Sequence, residues 1–252
     1  MQYFMTYAFY CCCFLASINV SATHIIAITE HLPPYQRLHD DFQVTGFTVE
    51  IVKALGEELG DDITIEVLPW ARAYRRAQEE PNVLIFSMYR IPARDKLFKW
   101  VGKVDENVHY FYALRNSTHN HIKTVAQAKE KIIAVTGNAF EDRQLTSRGF
   151  KRLAKVSSPD KMVSLLFNKR VELLFGSEIA IANLASQDGY STDDLIRLIT
   201  IENWGDGLWL AFSKATADEI VHKYQQAYKR LHDNGQFNKI KADHFHFNFI
   251  KP

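Results

Sequence analysis

Short β-like runs alternate with segments of helical periodicity along this chain, and the same grammar occurs in both halves. Few folds satisfy that order. Strands separated by helices pair in parallel while the helices cover the sheet faces, so the pattern predicts an α/β architecture. In the first half, residues 24–29 (HIIAIT) read as an opening strand that Pro33-Pro34 breaks. Gly46 precedes a helix whose apolar face is Phe47, Ile51, Leu55 and Leu59, spaced as one side of a helix requires. Residues 63–68 read as the next strand, Pro69 stands where a helix begins, and residues 70–80 are that helix. Residues 82–87 form a third strand, apolar enough to predict burial on both faces.

The second half repeats the order. Residues 131–135 read as a strand ending at Thr136-Gly137-Asn138, followed by a helix to about Arg148 and a strand over 151–156. Ser157-Ser158-Pro159-Asp160 has the composition of a capped helix start, with Met162, Val163, Leu165 and Leu166 as its apolar surface. A strand over 171–175 and a helix over 178–186 follow. A long helix over 215–233 carries Ile220, Tyr224, Ala227 and Leu231 on one side; Gly235 stops it and a short helix ends the chain. β-rich joins at residues 108–114 and 208–212 predict two lobes, residues 23–112 with 210–252 and residues 113–209. In open α/β sheets a ligand sits outside the carboxyl ends of the parallel strands. That rule selects five clusters: Thr29-Glu30, Pro69-Trp70, Ser87-Met88-Tyr89, Thr136-Gly137-Asn138 and Gly176-Ser177-Glu178.

Residues 1–22 differ from the rest. They carry no charged side chain, are nearly continuously apolar from Phe4 to Ala16, and end in Val20-Ser21-Ala22. The run is shorter than the roughly 20 residues that cross a bilayer and reads as a cleavable signal peptide, so the chain is expected in the periplasm. Cys11, Cys12 and Cys13 all lie in it, leaving a mature chain without thiols, disulfides or cysteine metal sites. The 252 residues are enough to build a core without such staples. With 30 basic and 29 acidic residues the net charge is +1, which recommends neither nucleic acid nor an anionic membrane as partner. No phosphate loop, HExxH, GxSxG or GxGxxG pattern is present. The alternating His244 and His246 in HFHFNF read as a packing edge rather than a zinc pair. Neither metal nor cofactor is expected.

The motifs ITEHLPPYQ, GFTVEIVKALGEELG, LPWARAYRRAQ, FSMYRIPARDKLFKWVG, IIAVTGN, LLFNKRVELLFGSEIA and GLWLAFSK, with NGQFNKI in the last part, occur in this order. Together they resemble the periplasmic solute-binding proteins that serve polar amino-acid ABC importers (bacterial extracellular solute-binding proteins, family 3). The resemblance covers about residues 25–245. It implies a two-lobed Venus-flytrap of the type II periplasmic-binding-protein fold, with two hinge strands. Such a protein closes on a small ligand, delivers it to a membrane permease in trans, works as a monomer and catalyses nothing. Two other roles of the same fold stay open: a dehydratase-like enzyme acting on a small cyclic acid, and a ligand sensor for a membrane receptor.

The resemblance places Arg94 where a ligand carboxylate is gripped, a task suited to the planar guanidinium fork. Arg90 stands near enough to share it, and Ser87 would support the same carboxylate. Gly137 and Asn138 open a helix whose first N–H groups suit an anion. Tyr35 and Trp70 follow prolines at strand ends where a flat ligand face stacks, or else pack inward, and Tyr89 closes the third strand. Trp204, in a Gly-rich stretch, is expected to close over the pocket. Ser177 stands where the amino-acid binders carry an aspartate for the ligand ammonium, and a hydroxyl supplies no counter-charge. Either Glu178 beside it or Glu30 compensates, or the ligand has no α-ammonium group.

Overall fold

A computed structural model describes residues 22–201, 205–245 and 250. The signal-segment reading therefore falls, Ala22 apart, outside the described residues, as do Trp204 and His246. Strand β1 (His24–Thr29) is followed by a small antiparallel hairpin, β2 (Arg37–Leu38) and β3 (Val44–Thr45). Helix α1 (Phe47–Leu59) buries Phe47, Ile51 and Leu55 and stops at Gly60, whose φ of 66° a side chain would resist. Then come β4 (Asp62–Val67), α2 (Trp70–Glu79), β5 (Val83–Tyr89), buried at every residue, and β6 (Phe98–Asp105).

Beyond a short link the chain builds β7 (His109–Leu114), α3 (Val125–Lys129), β8 (Ile133–Thr136) and α4 (Phe140–Ser147). It continues with β9 (Leu153–Val156), α5 (Met162–Phe167), β10 (Leu173–Ser177), α6 (Glu178–Gln187) and β11 (Leu195–Thr200). It returns through β12 (Leu208–Ser213) to α7 (Asp218–Asp233) and α8 (Gln236–His244).

The strands form two five-stranded sheets, β4-β1-β5-β12-β6 and β11-β7-β10-β8-β9. Each has a parallel trio, β4-β1-β5 or β9-β8-β10, extended by antiparallel strands, so the two lobes repeat one plan. The segments expected as joins are themselves sheet strands. β7 pairs with β10 and β11 inside the second sheet, and β12 pairs with β5 and β6 inside the first. By sheet membership the outward passage lies at residues 106–108 and the return between Thr200 and Leu208.

The first lobe's core forms where α1 and α7 meet its sheet: Leu55, Phe212, Tyr224 and Leu231 have no exposed surface, each such burial contributing about 1.5–3 kcal/mol. On α7 the buried stripe is Val221, Tyr224, Ala227 and Leu231. Ile220, expected inward, is only half-buried, because the helical turn that puts Tyr224 on the sheet brings Val221 with it. Met162, Val163 and Leu166 are buried on α5 as its apolar composition requires. Ser158 does not cap that helix, its hydroxyl donating to Asp160 Oδ2 at 2.8 Å instead.

Candidate functional site

The carboxyl ends of β1, β5, β8 and β10 point toward one cavity between the lobes. The first lobe contributes Glu30, Tyr35, Trp70, Ser87, Tyr89 and Arg94 to its lining, and the second contributes Thr136, Phe140, Glu141, Arg143 and Ser177. Each wall carries a cation and a carboxylate against an apolar background.

Arg94 ends a 3-10 turn over Pro92–Arg94, where Pro92 fixes the first residue. Its Nη1 donates to the Tyr89 carbonyl at 2.9 Å, and its guanidinium lies 5.1 Å from the Trp70 ring centroid and 5.2 Å from that of Tyr74. Burial lowers the guanidinium pKa, with Tyr74 and Glu30 opposing that shift. Trp70 is half-buried and serves both as cavity wall and as a platform for the arginine. Arg90 is turned away: its Nε bonds Asp95 at 2.8 Å, and its guanidinium sits between Trp100 and Trp209, 5.0 and 4.6 Å from their centroids. Arg72 is exposed and does not line the cavity.

Ser87 reaches the cavity in a left-handed backbone conformation, φ 54°, a strained choice for a residue with a Cβ. Its hydroxyl faces inward instead, donating to Gln36 Oε1 at 2.7 Å with Thr48 Oγ1 at 3.0 Å. Tyr35 is 1% exposed and hydrogen-bonds Asp105 Oδ1 at 3.0 Å and Asn107 Oδ1 at 3.2 Å. Burial, then the Asp105 charge, push its hydroxyl pKa well up, so it acts only as a neutral phenol. Tyr89 crosses the cleft. Its ring stacks on Phe140 of α4 at 4.2 Å and 17°, and its hydroxyl accepts from Asn107 Nδ2 and lies 3.1 Å from His109 Nε2.

Four expected residues lie elsewhere or do other work. Gly137 and Asn138 are not part of the lining. Their amides are already used, Gly137 N–H by the Val156 carbonyl and Asn138 N–H by Asp142 Oδ2, both at 2.9 Å. Glu178 points away and pairs with Arg197 Nη1 at 3.0 Å. Ser177 does line the cavity, but its Oγ accepts from the Ala180 amide at 3.3 Å and so caps α6.

The carboxylates that face the cavity are Glu30 and Glu141. Burial, then the neighbouring Glu141 charge, raise the Glu30 pKa from an ordinary 4.5 to about 7, with Arg143 and Arg94 opposing. Burial also pushes Glu141 up, but the hydrogen bond and charge of His109 outweigh it and hold its carboxyl below the usual range. His109, on β7 and 2% exposed, places Nε2 2.9 Å from Glu141 Oε1 and Nδ1 2.8 Å from the Asn107 carbonyl. A carbonyl only accepts, so Nδ1 donates to it, which leaves Nε2 facing Glu141 and the Tyr89 hydroxyl. Sequence reasoning had Glu30 only as a stand-in and did not single out Phe140, Glu141, Arg143 or His109. Phe140 and Glu141 open the helix after β8, so the strand-end rule reaches them when read three residues past Asn138.

Among the described residues no group of three or more His, Cys, Asp or Glu side chains is arranged to hold a metal ion, and no helix is long and apolar enough to cross a membrane. Two lobes of one plan around a charged, partly apolar cavity define a two-lobed solute-binding protein. Residues 25–247 match the model of the bacterial extracellular solute-binding proteins, family 3, and the chain belongs to that family. A curated relative, an arginine-binding periplasmic protein of Mannheimia haemolytica, is 20% identical over 225 residues, covering 88% of this chain and 91% of its own. Among solved structures, a histidine kinase sensor domain with similarity to periplasmic binding proteins aligns with a TM-score of 0.74 at 15% identity, over 90% of this chain and 98% of its own. A Salmonella typhimurium periplasmic binding protein described as highly specific for arginine aligns with a TM-score of 0.70 at 16% identity, over 89% and 100%.

Proposed function

We propose that this protein is a periplasmic receptor for a small polar ligand bearing a carboxylate, an amino acid or a close relative, which it hands to an ABC importer. It is exported by residues 1–22, works as a monomer, closes its lobes over the ligand and does not turn it over. The observation that carries the reading is Arg94, a guanidinium held over Trp70 and Tyr74 at the wall of the interlobe cavity. A planar cation fixed on aromatic faces is pre-organised for two parallel bonds to a carboxylate. Ser87, Trp70, Tyr89 and Ser177 supply the surrounding walls. The arginine-binding relative and the arginine-specific neighbour favour an amino-acid ligand, whereas the kinase sensor-domain neighbour keeps a receptor as the alternative destination.

Thermal unfolding of ligand-stripped protein from Thr23 onward, run against amino acids, dicarboxylates, polyamines and small cyclic acids, tests this. A ligand at a thousand times its Kd stabilises by about 4 kcal/mol, roughly 8–16 °C for a chain of this length. Arg94→Lys should weaken the best ligand by about 10- to 100-fold, because an ammonium makes no bidentate pair. A panel without any shift, or a best ligand indifferent to Arg94→Lys, refutes the reading.

A further inference from the structure

At the amino end of β1 lies a buried carboxylate that the fold does not fully serve. Asp61 sits on the turn between α1 and β4, and its side chain has no exposed surface. Such a group is costly unless its charge is met and both oxygens are bonded. Oδ1 accepts from the Thr23 amide at 3.0 Å and from Lys223 Nζ of α7 at 2.9 Å. Oδ2, also buried, has no hydrogen-bond partner among the described residues. Tyr224, beside Lys223, is near enough for the Asp61 charge to act on its hydroxyl, yet that hydroxyl makes no hydrogen bond among the described residues either. We propose that Thr23 is the first residue of the mature chain and that its α-ammonium is the second cation Asp61 holds, beside Lys223. This goes beyond the ligand-binding reading and rests only on the export stated with it.

Sequence and backbone select the same bond. Val20-Ser21-Ala22 supplies the small residues that a membrane-bound signal peptidase accepts before its cut, and Ala22 is exposed. Among the described residues Thr23 is the first held from both sides, its N–H by Asp61 and its carbonyl by the Asp62 amide at 3.1 Å. Hydrolysis of the Ala22–Thr23 peptide bond leaves a carboxylate on Ala22 and an ammonium on Thr23. The water oxygen goes to the carbonyl carbon and its two hydrogens to the nitrogen. The nitrogen already placed on Oδ1 then carries three hydrogens and a positive charge, which brings a second N–H within reach of Oδ2. A cut one residue earlier or later moves the ammonium by about 3.8 Å, one Cα–Cα step, and loses the contact. The cut at Thr23 thus gives β1 a charged anchor to α7 and to the α1–β4 turn.

The test has two arms. The full chain is expressed with residues 1–22, recovered from the periplasm, and the mass of its N-terminal peptide is read; that peptide should begin at Thr23 with a free amine. Protein starting at Thr23 is then melted without ligand beside a form carrying Gly-Ser before Thr23, each as wild type and as Asp61→Asn. At pH 7 the wild type starting at Thr23 should melt roughly 2–6 °C above its extended form, and Asp61→Asn should shrink that gap to about a degree. The charged groups around the Thr23 nitrogen are Asp61, Lys223 and Tyr224, with the His24–Asp62 and Glu58–Arg230 pairs on its flanks. An α-amine titrates near about 8, and a carboxylate partner raises that value. Its contribution is therefore whole below about pH 8 and lost as pH climbs toward about 10, so the wild-type gap should close over that range. This pH arm needs no variant, so the pair stays testable where Asp61→Asn does not fold. An N-terminus other than Thr23, no gap at pH 7, or a gap that survives Asp61→Asn or high pH overturns the proposal. Retention of residues 1–22 overturns the export reading with it. The cavity lies at the opposite end of β1, so a ligand panel without any shift, which refutes the receptor reading, leaves a measured ammonium pair standing.

Discussion

Replacing Glu30 with glutamine should make the ligand-free protein more stable, by an amount that grows from about pH 4.5 and is full above about pH 7. The carboxyl is half-buried, and its pKa is raised from an ordinary 4.5 to about 7, first by burial and then by Glu141. A carboxyl raised in this way favours its protonated form in the folded state. Its contribution is therefore fully present below the unfolded pKa and is lost as pH climbs through about 7. At 1.36 kcal/mol per pKa unit the climb is worth about 3 kcal/mol, an upper figure because water reaches part of the group. Glutamine keeps the shape without the charge. At pH 8.5 Glu30→Gln should be stabilised by up to about 3 kcal/mol, a Tm gain of up to roughly 6–12 °C at 2–4 °C per kcal/mol. At pH 5 the gap should shrink to at most about 1 kcal/mol, roughly 2–4 °C, because there only the unfolded carboxyl has begun to ionise. The assay is Tm of ligand-stripped protein by circular dichroism from pH 5 to 9. A difference that does not depend on pH, or a loss of stability at pH 8.5, refutes the argument that this carboxylate is held in the cavity at the expense of the fold.

Two other substitutions probe the same structure. Glu178→Gln breaks a partly exposed pair with Arg197, so urea denaturation should register at most about 1 kcal/mol, and titration should find ligand affinity within twofold of wild type. Gly207 has φ +70°, and a Cβ there would lie 2.2 Å from the Asp105 carbonyl oxygen. Gly207→Ala should cost about 2 kcal/mol or more in urea denaturation.

Much of the fold is legible because periodicity and punctuation agree. Phe47, Ile51 and Leu55 recur on one face of a helix that Gly46 precedes, and all three are buried. β5 reads as a doubly buried strand because no polar residue interrupts it before Ser87, and every one of its residues is buried. The strand-end rule also leads to Glu30, Trp70, Tyr89 and Ser177, which line the cavity. It fails where local hydrogen bonding intervenes. Asn138 opens a helix in sequence, but the Asp142 carboxylate four residues on takes its amide, a local competition that spacing alone does not decide. His109 is illegible for a different reason. In sequence it is one polar residue at the head of an aromatic strand, and its meaning comes from Glu141, which lies 32 residues away and reaches it only when α4 docks.

His109 also links the cavity to the passage between the lobes. Asp105 Oδ1 accepts from the Asn107 amide at 2.7 Å and from the Tyr35 hydroxyl, so the link after β6 is tied to the first lobe from within. Asn107 then donates to the Tyr89 hydroxyl, while its carbonyl holds the His109 ring that meets Glu141. A rotation of the lobes about residues 106–108 cannot leave these buried bonds and the Tyr89–Phe140 stack all unchanged. Buried polar networks of this kind are costly when half satisfied, which favours discrete arrangements over a continuous hinge. Glu141 of the cavity wall meets the His109 ring, and His109 bonds the backbone of the link itself. The second-lobe wall of the cavity and the link between the lobes are thus two hydrogen bonds apart.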